Sequence, residues 1–319
     1  MSRQIASRAA QAALLLILVS LATFSLVRLA PGDPGVFLYG TSASAEDIAL
    51  FRARWGLDAP IHIQYLRWVT NAAGGDMGRS YQDGRPVLAV VAERIPASLL
   101  LAGTALLFAT ALGVGLGIFA AGHRFSGWDR AITLLATLCY SAPAFWLGIA
   151  LILVFSVRLG WLPSGGIRTL VGTSDAGDLL RHLALPAAAL ALRDVGRFAR
   201  ITRSSMLEVL AQDYLRTAAA KGLRSRTIAL RHTFPNALLP VITLLGMSTP
   251  GLLSGAVIIE TVFGWPGMGR LAIESAIQRN YPVIMGEVLI VATLALIGSL
   301  LADIAYAVAD PRLARSERE

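Results

Sequence analysis

The sequence predicts an all-α polytopic membrane protein with six transmembrane helices. Three observations carry that expectation. The 319 residues are 55% hydrophobic and only 15% charged, against about 25% charged in an ordinary soluble domain. The apolar residues are gathered into uncharged runs that reach the roughly 20 residues a helix needs to cross a bilayer core. The excess of basic residues, a net charge of +8, falls in the connections that six crossings place on one side, as positive-inside orientation requires.

Taken in order, residues 9–27 are uncharged over 19 positions, behind Arg3 and Arg8. Such a run can be a secretory signal. It is long for that role, and "RLAPGDP" follows it where a small-x-small cleavage site would stand, so a retained helix is expected. Residues 31–97 are the one part with soluble character, mixing Asp, Glu, Arg, Trp and Gly and closing in the amphipathic "VLAVVAERIP". They read as a small extracytoplasmic segment and not as an independent enzyme. Residues 98–121 and 131–157 are uncharged over 24 and 27 positions, and 236–259 over 24. A last span, 282–309, carries Glu287 and Asp303 near its ends. The fourth helix is the short one: 183–192 holds ten uncharged residues before Arg193, Asp194 and Arg197. Orientation argues for it. With five helices the basic run 200–231 and the C-terminal Arg312, Arg315 and Arg318 face opposite sides. With six, both termini, the "GHRFSGWDR" loop (122–130) and the basic run share the cytoplasmic side. The chain thus divides into residues 1–97 (first helix and extracytoplasmic segment), 98–309 (five helices with a cytoplasmic loop at about 203–236) and a tail, 310–319. Pro143, Pro240 and Pro250 bend apolar runs, either as hinges or as static kinks.

Several function classes find no support. The single cysteine, Cys139, allows neither an intrachain disulfide nor a Cys-based metal site. His62, His123, His182 and His232 are scattered, with no HExxH spacing. There is no GxSxG elbow and no GxxxxGK[ST] phosphate loop. "LPSGG" (162–166) reads as a turn on the outer side. "GVGLG" (113–117) sits within an apolar helix, where Gly113 and Gly117 form a small-residue packing surface. Ionisable residues within a membrane default to function. Asp194 and Arg197, spaced i,i+3, can pair. The cluster is then either self-neutralising near the cytoplasmic end, or Arg193, Asp194 and Arg197 border a pathway and an arginine meets a substrate carboxylate.

The most informative stretch is "DYLRTAAAKGLRSRTIALRHTFPNALLP" (213–240), with five basic residues and one acidic residue between apolar blocks. "RSSMLEVLAQDYLRTAAAK" reads as one helix, with Met206, Leu207, Leu210, Tyr214 and Leu215 as its apolar stripe. Gly222 ends it as a C-cap glycine. A second short helix, "RSRTIALRHTF", runs to Pro235. No aromatic residues interleave with the basic ones as base stacking wants, so nucleic acid is the poorest partner. Small alanines suit the close approach of a protein.

This frame resembles the cytoplasmic loop of binding-protein-dependent ABC importer permeases: Glu-Ala-Ala, three residues, Gly, nine residues, Ile-x-Leu-Pro. Here Arg216, Thr217 and Ala218 stand in the first triplet, Gly222 follows, and His232, Phe234 and Pro235 close it. Arg216 departs from the motif's Glu. Further segments extend the likeness over essentially the whole chain: "RLAPGDP", "GDMGRSY", "ERIPASLLLA", "SAPAFWLGIALILVFSVRLGWLPSGG", "ETVFGWPGMGRL", "RNYPVIMGEVL" and "DPRL". Together they resemble the permeases of the dipeptide, oligopeptide and nickel branch. The resemblance implies a bacterial inner-membrane permease that moves peptides or similar small solutes. It also implies a second homologous permease, two cytoplasmic ATPase subunits that hold ATP and Mg, an extracytoplasmic solute-binding protein, surrounding lipid, and no cofactor in this chain. Arg216, Thr217, Ala218, Lys221, Gly222, Phe234 and Pro235 then become the ATPase-coupling positions. "FGWPGMGRL" would face the binding protein or gate the pathway. Two other classes remain open on the residues: an ion-driven secondary transporter using Arg193, Asp194 and Glu260, and a receptor or scaffold whose basic loop recruits a cytosolic protein.

Overall fold

In the computed structural model the described residues are 2–40, 43–169, 175–223 and 227–309; the tail, including "DPRL", lies outside them. The described residues are built from helices, with one isolated bridge between Arg79 and Pro86 and no sheet. They group into two units: residues up to 98 with 266–296, and residues 99–265 with those from 297 on.

The first unit opens with α1 (Ser2–Leu29). Gly32 has φ +103°, a conformation that costs glycine nothing, and the chain turns there into α2 (Pro34–Tyr39). Asp33 caps α2 by accepting from the Gly35 amide at 2.7 Å, with Pro34 at the first helical position where its missing N–H is harmless. Helix α3 (Ala45–Trp55) starts on a reciprocal capping box between Ser44 and Asp47 and ends at the left-handed Gly56. Helix α4 (Ile61–Ala73) and the short α5 (Val87–Ala92) follow. Residues 266–296 complete this unit with α13 (Met268–Ile277) and the first turns of α14 (Tyr281–Ala309). Val87, Val91, Leu271 and Val283 form its core, with Met77, Val90, Ile95 and Ile290 packed against them. Asn280 ties the two stretches together: its Oδ1 accepts from the Tyr81 amide at 3.0 Å, and its Nδ2 donates to Ser80 Oγ at 2.9 Å.

The second unit holds most of α6 (Ile95–Gly122), then α7 (Gly127–Ser141), α8 (Ala144–Leu151), α9 (Ala176–Leu210), α10 (Asp213–Ala220), α11 (Phe234–Ala237) and α12 (Leu239–Val262). Residues 131–157, a single apolar run, fold as two helices bent by 108°. Pro143 causes the break: the residue before proline is driven out of the helical region, and Ala142 is extended, at φ −73° and ψ 138°. Helix α8 then passes into a π-helical stretch, Ile152–Arg158.

Helix α9 is 35 residues long, far longer than the ten-residue apolar window suggests. Beyond Leu192 the helix continues with one face buried, carrying Val195, Phe198, Ala199, Thr202, Ser205 and Met206, while its charged residues occupy the rest of its surface. Glycines set its packing. A Cβ on Gly113 would lie 2.5 Å from Phe198 Cβ, one on Gly117 would lie 2.6 Å from Thr202 Cβ, and one on Gly196 would lie 2.3 Å from the Ala136 carbonyl oxygen. The small-residue face expected at 113–117 is therefore a backbone-to-backbone crossing of α6 on α9.

By length and composition, the described residues include three helical stretches able to cross a membrane: Ala10–Leu29, Val87–Gly122 and Tyr281–Leu300. The bent pair of α7 with α8 and its π extension makes a fourth if it is one span.

Candidate functional site

Helix α9 does not run on to Gly222 as one helix, as its apolar stripe suggests. It ends at Leu210. The Ala211 amide is shared between the Leu207 and Glu208 carbonyls and the Gln212 amide bonds Val209, a tightened last turn of the 3₁₀ kind. The chain then restarts at Asp213, whose carbonyl accepts from Thr217 Oγ1 at 3.1 Å. Helix α10 ends at Ala220, and Gly222 follows with φ +81° and nothing within 4 Å of where a Cβ would stand. Its backbone conformation, and not crowding, is what asks for glycine there.

The segment is held from beneath and open above. Leu215, Ile228, Thr233 and Ala237 are buried. Ala237 joins Ala121 of α6 and Met206 of α9 in a small cluster, with Phe234, Leu207, Val209 and Ile118 against it. Residues 228–233 are π-helical, and the Thr233 hydroxyl satisfies the Ile228 carbonyl five residues back at 3.1 Å. Tyr214 and Asn236 join the two arms, with Asn236 Nδ2 donating to the Tyr214 hydroxyl at 3.3 Å. On the open side lie Thr217, Ala220, Lys221, Gly222, Leu223, Arg231 and Pro235, all exposed. Of the seven expected coupling positions, Thr217, Lys221, Gly222 and Pro235 are on this surface and Phe234 is half-buried beneath it. Arg216 and Ala218 lie on α10. Arg224, Ser225 and Arg226 are outside the described residues.

One brace was not foreseen. Arg203 of α9 grips Asp129, in the first turn of α7, through Nε to Oδ1 at 2.5 Å and Nη2 to Oδ2 at 2.8 Å. The Phe125 and Asp129 amides, bonded to Asp129 Oδ2 and Ser126 Oγ, cap the same turn. The pair stands 74 residues apart in sequence, so no spacing rule finds it. The only signal was an acidic residue inside the basic loop 122–130.

The charges in the middle of α9 behave differently from their spacing. Among the described residues no ion pair joins Asp194 to Arg197. Arg193 and Arg200 instead lie over the Tyr140 ring, 5.5 and 4.9 Å from its centroid, a geometry in which the aromatic face attracts the cation. Asp194 and Arg197 are half-buried. In "FGWPGMGRL", Phe263 and Trp265 are fully buried, and the Phe263 carbonyl accepts from the Gly166 amide at 2.8 Å. The turn "LPSGG" is therefore pinned to the end of α12. His182 holds the same turn through Nδ1, 3.0 Å from the Gly165 carbonyl.

Residues 113–315 match the family described as binding-protein-dependent transport system inner membrane component, and residues 1–102 match its N-terminal region. The chain is 41% identical over 300 residues to the oligopeptide transport system permease protein AppB of Bacillus subtilis (94% of this chain, 95% of that one). It is 44% identical over 303 residues to a putative peptide permease protein of Brucella suis biovar 1, with the same coverage. It is 40% identical over 298 residues to the glutathione transport system permease protein GsiC of Salmonella paratyphi A (93% and 94%). Among solved structures, an inward-facing MetNI methionine ABC transporter chain aligns with a TM-score of 0.58 at 15% identity, over 70% of this chain and 97% of that chain. That likeness speaks for the fold alone.

Proposed function

This chain belongs to the family of binding-protein-dependent transport system inner membrane components, and from that premise we propose that it is the translocating subunit of an ATP-driven importer of peptides or similar small solutes. It crosses the inner membrane six times with both termini in the cytoplasm. A second, homologous permease completes the pathway. Two cytoplasmic ATPase subunits bind and hydrolyse ATP with Mg, and an extracytoplasmic solute-binding protein delivers the cargo. Arg193, Asp194 and Arg197 border the pathway, where the arginines are available to a peptide carboxylate.

The observation that carries the reading is the loop at 213–237: an exposed turn of small and basic residues whose underside is buried against α6 and α9. A contact made on Thr217, Lys221, Gly222 and Pro235 is thereby coupled to two long helices through Leu215, Phe234 and Ala237. Arg216 and Ala218 belong to the same contact. The test is Gly222→Val in the assembled transporter. A β-branched residue at positive φ costs about 1–2 kcal/mol and deforms the turn. ATPase association and ATP-dependent peptide uptake into proteoliposomes should both fall. If both persist at wild-type level, this loop is not the coupling surface; if uptake persists in the absence of any ATPase, the chain is an ion-driven transporter or works without ATP altogether.

A further inference from the structure

We propose that the first unit carries a binding site for the phosphate of an anionic phospholipid, built where "RLAPGDP" leaves the membrane. The site is a cavity of about 240 Å³ bordered by Arg28, Gly32, Asp33, Arg52 and Tyr281. Two cations line it and a third backs it: the Arg279 guanidinium lies against Gly32, so close that a Cβ there would be 2.0 Å from Nη1. One carboxylate, Asp33, offsets one of the three positive charges through Arg52, with Nε to Oδ2 at 2.7 Å. The surplus is therefore positive in a pocket with no second acid on its wall.

The arginines are held in place. Gln64 donates from Nε2 to the Leu57 and Ala59 carbonyls at 3.0 and 2.6 Å, which fixes its amide and turns Oε1 toward Arg28 Nη2. Phe24 and Tyr281 flank the same guanidinium, their ring centroids 5.5 and 6.0 Å away. Arg28 is thereby oriented while most of its five donors are left for another acceptor. Arg279 is held at φ +53° by the Asn280 clamp, and its Nη1 is buried with no hydrogen-bond partner among the described residues. Buried guanidinium donors are ordinarily satisfied, and a planar fork matches phosphate oxygens. An anion in the cavity would supply what Arg28 lacks, and Arg279, behind Gly32, adds its charge to the site.

The source of the phosphate follows from position. Arg28 is at the end of α1, whose apolar stretch Ala10–Leu29 is 11% buried. Leu21, two turns before Arg28 on the same side of the helix, is 45% exposed. Leu14, Ile17 and Leu18 continue the apolar surface down the helix. A lipid headgroup in the pocket would thus lay its acyl chains along exposed leucines, which a free phosphate or a peptide cannot do. Basic pockets at membrane helix ends take anionic headgroups in this manner.

The experiment uses the whole transporter purified in detergent and partially delipidated, read by native mass spectrometry and by thermal stability as phosphatidylglycerol or phosphatidylcholine is added. Phosphatidylglycerol should bind and stabilise while phosphatidylcholine does not. Arg28→Gln and Arg279→Gln should each weaken it about fivefold, Arg28→Lys should restore most of the loss, and the exposed Arg54→Gln should change nothing. Arg52→Gln, at a half-exposed side chain, gives a further tolerant variant should the buried ones fail to fold. Equal phosphatidylglycerol binding by wild type and by all the pocket variants overturns the proposal. So does displacement of the lipid by millimolar inorganic phosphate, which would make the pocket a soluble-anion site, or by a dipeptide, which would make it a substrate site.

Discussion

Asp129 is 4% exposed as a residue, and its partner Arg203 is 28% exposed in its side chain. Removing the arginine strands a carboxylate where water reaches poorly. Breaking a buried pair from one side costs about 3 kcal/mol, whereas losing both partners removes the stranded charge as well. Arg203→Ala should therefore lower the melting temperature of the detergent-purified complex more than Asp129→Ala with Arg203→Ala together. Equal losses would mean that the pair is only a surface contact. At Asp33 burial pushes the carboxyl up, but the Arg52 hydrogen bond and the Gly35 and Val36 amides more than offset it, leaving it below its ordinary 3.8. A carboxylate lowered on folding stabilises above its unfolded pKa and loses that contribution as pH falls through the folded value. The Asp33–Arg52 pair should accordingly survive at pH 5, and an Asp33→Asn variant should have the same pH dependence of stability as wild type between pH 5 and 8.

Packing of elements turns on three glycines. The closest approach is at Gly196, where a methyl would meet a backbone oxygen at 2.3 Å, an atom that cannot rotate away. Gly196→Leu forces α7 from α9, and overpacking of this kind costs about 1–3 kcal/mol or more. Folded, membrane-inserted yield should drop sharply, while Gly115→Leu on α6, with nothing within 4 Å, should be tolerated. If the two behave alike, the crossing is looser than described. How well each element could be read from sequence follows the same physics. Uncharged runs located the apolar helices because bilayer thickness fixes their length. The direction of the bend at Pro143 was hidden, since proline says that a helix breaks and not where it goes next. Helix α9 was underestimated because a hydropathy window sees only its apolar half, while the rest is amphipathic. In the candidate loop, Gly222 was legible from the C-cap rule. The break at Ala211 and the π-helical turn before Phe234 were not, because neither contains a residue that compels it.

For the molecule as a whole, the reading rests on which face of the membrane the loop 213–237 occupies. The single cysteine makes this measurable. On a Cys139→Ser background, Thr217→Cys and Lys221→Cys should react with a membrane-impermeant maleimide only in inside-out vesicles. Asp58→Cys, in the first unit, should react only in intact spheroplasts. Labelling of all three from one side would refute six crossings. The family and the apolar helices could be read at this scale, whereas the composition of the first unit could not: residues 266–296 join residues 1–98 through Asn280, roughly 200 positions from Ser80, and no local pattern announces such a bond.

The glycine crossings also say something about kinematics. Helices that meet backbone to backbone, with no side chain between them to tilt or repack, cannot slide past one another by degrees. Gly113, Gly117 and Gly196 therefore join α6, α7 and α9 into a single link of the machine. A displacement imposed at one end of it is not dissipated within that link. It is carried whole to the joints at its ends: the sharp corner at Ala142–Pro143 that closes α7 and the tightened turn at Ala211 that closes α9.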